Sequence, residues 1–183
     1  MYKVNAMSNL IRLIYASKST NPASENYGGI QVDVGRILMQ ARKNNPRDQI
    51  GGVLYFSNNY FFQCLEGGQD VVNQLYNKIT EDPRHENVQS LSVKRINERY
   101  FSNWSMKYVA LEESVNKLLK DHGYERFEPY NFDDDMINKM LRLFVNAKDF
   151  SGASEQNYDT ATLVKRKPGL LKRFFRRRKA EPA

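Results

Sequence analysis

The run Tyr60-Phe61-Phe62-Gln63-Cys64-Leu65 places a carboxamide among large apolar side chains. A buried amide without partners costs roughly 1 to 3 kcal/mol, so Gln63 implies something polar for it to bond. Strand alternation puts Gln63 on the face of Phe61 and Leu65, opposite Tyr60, Phe62 and Cys64. Tyr15 lies late in another strand-like run, near apolar Leu13, and its phenol also wants a partner. If both groups point into the space between a sheet and its helices, they can meet each other or a shared ligand. Parity alone does not say which face that is. The other side chains to be placed are Asn45 before Pro46, Arg84 and His85 after Asp82-Pro83, and Trp104 and Met106, which alternation puts on one face of their strand.

The elements that must hold these residues follow from apolar spacing. Leu10 to Ser17 alternates, with Ile11, Leu13 and Tyr15 one way and Leu10, Arg12, Ile14 and Ala16 the other, which predicts a strand. After the turn-rich stretch Asn21 to Gly29, Val34, Ile37, Leu38 and Ala41 recur at helical spacing until Asn44-Asn45-Pro46 ends the pattern. Gly51 to Ser57 and Tyr60 to Glu66 are apolar runs separated by Asn58-Asn59, a pair able to take the positive φ angles of a tight hairpin. Gly67-Gly68 leads into a second helix with Val71, Val72, Leu75 and Ile79 on one face, closed by Asp82-Pro83. Val88 to Ile96 and Trp104 to Leu111 read as two more strands.

This order, β-α-β-β-α-β with a further strand, predicts an α+β, ferredoxin-like sheet carrying two helices on one face. Val115, Leu118 and Leu119, then Met136, Ile137, Met140, Leu141, Phe144 and Val145, form apolar stripes that predict C-terminal helices packing on the other face. Ser151 to Thr162 is polar and aperiodic, and reads as a linker.

At 183 residues and 40% hydrophobic, the chain suits one globular body followed by a tail. Cys64 is the single cysteine, which excludes an internal disulfide, and His85 and His122 offer no zinc spacing. No apolar run approaches a membrane span, and Met1 to Met7 lacks the apolar segment of a secretory signal, so a cytoplasmic protein is expected. The net charge of +7 is uneven: nine cations lie between Lys165 and Lys179 with only Glu181 against them, so the tail carries +8 and the rest −1. The basic character belongs to an appendage and not to the domain surface. On a helix, Leu170, Leu171, Phe174 and Phe175 would form an apolar stripe flanked by cations, which suits an anionic membrane surface and equally another polyanion, an acidic protein or a solvated tail.

Taken together, Leu13-Ile14-Tyr15-Ala16-Ser17, Asn44-Asn45-Pro46 with Ile50-Gly51-Gly52-Val53-Leu54, Phe61-Phe62-Gln63-Cys64-Leu65-Glu66-Gly67, Asp82-Pro83-Arg84-His85 and Trp104-Ser105-Met106 resemble the BLUF family of flavin-binding blue-light sensors. The resemblance covers residues 9 to 111, with 112 to 150 as capping or output helices of the short, stand-alone type and 151 to 183 as linker and tail. It implies FAD as cofactor, with its ring between the two helices and the sheet, and a hydrogen-bonded chain from Tyr15 through Gln63 to the flavin. Light then drives electron and proton transfer from Tyr15, and Gln63 rearranges; no enzyme activity is implied. It further implies that Asn45 anchors the ring's polar edge, that Ile37, Arg84 and His85 contact the flavin, and that Trp104 and Met106 relay the change at Gln63. The partners implied are an unidentified downstream protein and, given bare sheet edges, a second copy of the chain.

Simpler roles stand beside these: a helix stop for Asn45, a polar loop for Arg84 and His85, a turn for Asp82, core packing for Trp104 and Met106, and a small buried hydrophobe for Cys64. Ala41 stands where some members have a serine near the flavin. No Gly-x-Gly-x-x-Gly follows the first strand, so nothing marks the residues for the FAD phosphates, and FMN or riboflavin could serve the ring site. The competing class is an RNA-binding module of similar topology, but the Lys/Arg-Gly-aromatic core motif of such modules is missing. No phosphate loop or nucleophile-base pair supports a hydrolase.

Overall fold

The computed structural model describes residues 9–21, 26–27 and 30–150. The linker and basic tail lie outside them. In chain order the elements are β1 (Leu10–Ser19), β2 (Asn26–Tyr27), β3 (Ile30–Gln31), α1 (Val32–Asn44), β4 (Gly51–Ser57), β5 (Tyr60–Gly68), α2 (Gln69–Thr80), β6 (His85–Arg95), β7 (Lys107–Tyr108), α3 (Glu112–Asp121) and α4 (Asp134–Asn146). The main sheet has the order β6-β1-β5-β4-β7, antiparallel except where β7 runs parallel to β4. β2, within the stretch Asn21 to Gly29 that reads as a loop in sequence, pairs with β3 just after it to form a separate small ribbon.

Asn58 and Asn59 both adopt positive φ, 49° and 63°, and so close the β4–β5 hairpin as their type predicts. The alternation of β5 then divides the core in two. Phe61 and Leu65 join Leu13, Tyr15 and Leu54 under α1 and α2, where Val34, Ile37, Leu38 and Val72 are buried. Val71, by contrast, is exposed. Phe62 and Cys64 join Ile14, Val53 and Tyr55 on the other face, covered by Val115 and Leu119 of α3 and by Met136, Ile137, Met140, Leu141 and Phe144 of α4. Both sheet faces are therefore covered, which removes apolar surface that the two N-terminal helices alone would leave in water. The N-terminus of α4 is capped by Asp133, whose carboxylate accepts the Met136 amide at 2.7 Å.

The segment expected as a strand from Trp104 to Leu111 is mostly not one. Only Lys107 and Tyr108 pair with β4, opposite Val53 and Leu54, while residues 101–106 form turns. Glycine explains how closely those turns approach. A Cβ at Gly51 would stand 2.3 Å from the Phe101 carbonyl oxygen and one at Gly52 2.2 Å from that of Cys64. Any larger residue at either position would push the 101–106 turns and the neighbouring strand away from β4.

Candidate functional site

β1 and β5 pair so that Tyr15 faces Gln63 directly, and β4 places Leu54 beside Gln63 on its other side. Both polar residues point into the core under α1 and α2, which resolves the face that parity left open. The Tyr15 hydroxyl donates to Gln63 Oε1. The Gln63 amide Nε2 donates to Met106 Sδ at 3.4 Å, and a thioether is a weak acceptor. Burial pushes the Tyr15 phenol far above its ordinary pKa, with Asp82 and Tyr76 adding to the rise and Arg84 opposing it. Tyr15 is thus a neutral donor at physiological pH, and Gln63 is only 3% exposed.

Asn45 follows the last turn of α1 and is also buried. Its backbone N–H bonds the Ala41 carbonyl and its own carbonyl accepts the Ile50 amide, so it does end the helix. The side chain serves a second purpose: Nδ2 donates to the Ser105 carbonyl at 2.7 Å, tying the end of α1 to the turn that carries Met106. Ile37 is buried on the inner face of α1. His85 opens β6, with Nδ1 2.7 Å from Ser17 Oγ and its ring 4.6 Å from Phe61 and 6.4 Å from Tyr15. Burial lowers its pKa to about 4, so the ring is neutral. Arg84 is held by the Asp82 carboxylate and donates to Gln40 Oε1 at 2.8 Å, linking the turn after α2 to α1. Asp82 also accepts the Arg84 amide at 2.9 Å, so it shapes the turn as well as pairing with the cation.

Trp104 and Met106 do not share a face. Met106 belongs to the core under α1 and α2, whereas Trp104 packs against the core under α3 and α4. Strand alternation fails here because the residues sit in turns, not in an extended strand. Of the expected site residues, Tyr15, Gln63 and Met106 form one bonded chain, Asn45 reaches it through the carbonyl of Ser105, the neighbour of Met106, His85 bonds Ser17 and meets the Tyr15 ring edge-on, and Trp104 stands apart. Two participants escaped the sequence reading. Ser17 shares the parity of Tyr15 and could have been found that way. Lys107 is fully buried, with its ammonium donating to the carbonyls of Phe144 at 2.9 Å and Val145 at 3.1 Å and standing 4.5 Å from the centre of the Trp104 ring. Its only sequence signal is a cation in an otherwise apolar run.

The donors fit the polar edge of a flavin. Gln63 directs an amide N–H at a thioether, which a carbonyl oxygen would serve better, and the buried Asn45 carboxamide can present both a donor and an acceptor. Among the described residues no cluster of His, Cys, Asp and Glu could hold a metal ion, and no helix is long and apolar enough to cross a membrane.

The comparisons agree with this chemistry. The family model for BLUF, sensors of blue light using FAD, matches residues 10–107. A photoactivated adenylate cyclase subunit beta from Euglena longa is 36% identical over 155 residues, which are 84% of this chain and 16% of that protein. The blue light- and temperature-regulated antirepressor BluF of Escherichia coli (strain K12) is 30% identical over 122 residues, 64% of this chain and 30% of that protein. The photo-activated-state structure of BlsA superposes with a TM-score of 0.70 at 35% identity, covering 76% of this chain and 97% of that one. BlrB, in its dark state, gives 0.60 at 25% identity over 76% of this chain and 97% of that one. This chain belongs to the BLUF family, whose members sense blue light through FAD on a ferredoxin-like sheet. The family is one of blue-light sensors. The chain spans only 16% of the length of the cyclase subunit it matches.

Proposed function

We propose that Tyr15 and Gln63 are the photoactive pair of a blue-light photoreceptor that signals by changing its affinity for a separate protein. Bound FAD would supply the blue-light-absorbing group and an excited-state acceptor for one electron and one proton. Tyr15 is suited to supply both from one hydroxyl, because burial keeps that hydroxyl protonated until the electron leaves. Both return to Tyr15 afterwards, so nothing is consumed. Gln63 has two ways to satisfy its bonds, since a carboxamide offers a donor and an acceptor at nearly the same position. In the arrangement seen, the carbonyl takes the phenol and the N–H faces Met106. Loss of the phenol's donation while the proton is away frees the amide to rearrange.

The observation that carries this reading is the bonded chain Tyr15–Gln63–Met106 inside the core under α1 and α2. The chain, purified and loaded with FAD, should show a reversible red shift of its flavin absorption under blue light. A colourless protein, or a spectrum unmoved by light, sinks the reading. Loading in parallel with FMN and riboflavin tests whether the ring alone fills the site.

The 30% identity to a blue light-regulated antirepressor, a protein that by its name acts on a repressor, supports signalling to a separate partner. Lys165 to Lys179, with Leu170, Leu171, Phe174 and Phe175 interleaved, supports an anionic lipid surface as a second contact, because bulky apolar pairs gain from the acyl boundary while cations gain about 1 kcal/mol each near anionic headgroups. Co-sedimentation with phosphatidylserine vesicles, lost on neutral phosphatidylcholine vesicles and on removal of residues 163–183, is the expected result. Equal sedimentation with both vesicle types overturns it.

A further inference from the structure

The chain that leaves α4 turns back onto the edge of the sheet that carries Met106. Asp149 Oδ1 accepts the Tyr108 amide at 3.1 Å, and so covers part of the open edge of β7. The same carboxylate lies 3.4 and 3.5 Å from an Nη2 of Arg42, near the end of α1. The Arg42 Nε in turn donates to the Met106 carbonyl at 3.1 Å. One residue further on, Lys107 holds the last carbonyls of α4. The Phe150 ring meets Tyr108 edge-on, with centroids 6.1 Å apart. The stem that follows α4, residues 147–150, is thereby fastened to the short segment whose sulfur meets the Gln63 amide.

We propose that Arg42 and Asp149 are positioning residues of the light switch: through the Met106 carbonyl they lock the sulfur that faces Gln63 to the stem after α4, so that rearrangement of Gln63 releases the stem. This rests on the reading of Tyr15 and Gln63 given above. The physical reason is a competition over one residue. Met106 is flexible in its side chain, and a free backbone would absorb any displacement locally. Its carbonyl is instead held by a cation from α1 and its neighbour Lys107 by α4, so displacement at the sulfur is passed to both. The Arg42–Asp149 pair is about one quarter exposed, at 26% and 27%, which makes it a weak link that a modest shift can open and that closes again in the dark.

The test is amide hydrogen exchange of the full chain loaded with FAD, in darkness and under continuous blue light, followed in peptides covering residues 144–150. Light should raise exchange in the wild-type stem about tenfold, the equivalent of roughly one hydrogen bond to a charged group. Asp149→Ala should exchange at the fast rate already in darkness, show no further rise in light, keep its reversible red shift, and return to the dark spectrum about fivefold faster, a change within the effect of one such bond. Asp149→Glu should restore the light-dependent difference, which a purely structural role would not require. Unchanged exchange in α1 and β5 checks that the variant is folded; should Asp149→Ala not fold, Asp149→Asn retains an acceptor for the Tyr108 amide while removing the charge. A wild-type stem whose exchange is indifferent to light, or a light-dependent difference that survives in the variant, overturns the proposal. Absence of any red shift in the wild type instead strikes the underlying Tyr15–Gln63 reading.

Discussion

Gln63 aims its amide nitrogen at the sulfur of Met106, 3.4 Å away, while its carbonyl takes the hydroxyl of Tyr15. One face of the amide is well bonded and the other is served by a weak acceptor, which is an arrangement poised to change. It also connects the two ends of a path, a phenol that can give up an electron and proton and a turn tied to the C-terminal helix.

Gln63→Leu conserves bulk and removes both bonds. It should keep flavin and lose the reversible red shift, as read from absorption before and after blue light. A variant that binds no flavin would instead make Gln63 a binding residue.

Tyr15→Phe removes the donor and leaves the buried Gln63 carbonyl without its partner. The single changes at Tyr15 and Gln63 each orphan a polar atom, at about 1–3 kcal/mol apiece, so the double variant should be less destabilised than the sum by about 1 kcal/mol or more. Urea unfolding of the four proteins completes the cycle. Tyr15→Phe should also brighten flavin fluorescence, because the quenching electron donor is gone.

Asn45→Ala should weaken flavin binding about tenfold or more without abolishing the shift in the fraction still loaded, since one or two hydrogen bonds are lost but the Tyr15–Gln63 pair is untouched. Titration followed by flavin fluorescence reads the affinity. An unchanged affinity would confine Asn45 to its bond with the Ser105 carbonyl.

His85 sets a pH dependence. Its folded pKa of about 4 lies below the ordinary 6.5, so between these values the unfolded chain binds a proton that the folded one refuses. Stability is therefore complete above about pH 6.5 and falls as pH drops toward 4, with a slope approaching about 1.4 kcal/mol per pH unit. Desolvation dominates, with Asp82 raising and Arg84 lowering the value, and Asp82 itself titrates below its ordinary 3.8 and so leaves this window clear. Unfolding of the apoprotein at pH 7, 6 and 5 should show the fall, and His85→Gln should flatten it.

Much of the fold is legible in the chain because local periodicity and turn chemistry agree. Gly51 to Ser57 stands as expected, the Asn58-Asn59 hairpin follows, and the stripes of α1, α3 and α4 bury most of the residues their spacing indicates, with Ala41, Leu118 and Val145 half-buried at their margins. The failure falls between Trp104 and Met106, where side-chain type suggests a strand but the chain turns, held there by the Glu66 carboxylate on the Phe101 amide at 2.9 Å and by close approach to Gly51. Such contacts join residues far apart in sequence, and no window of neighbours reports them.

The amino-acid sequence by itself determined the order of the main strands and helices up to β6, the hairpin, most of the apolar faces and the presence of an amide and a phenol that each needed a partner, because these depend on residue type and on spacing within one element. The tertiary structure alone decided that Tyr15 and Gln63 face one another, that Met106 joins them while Trp104 lies in the opposite core, and that Arg42, Lys107 and Asp149 close on the same turn. Those outcomes depend on strand register and on packing across the sheet, where a shift of one residue exchanges every side chain between the two cores.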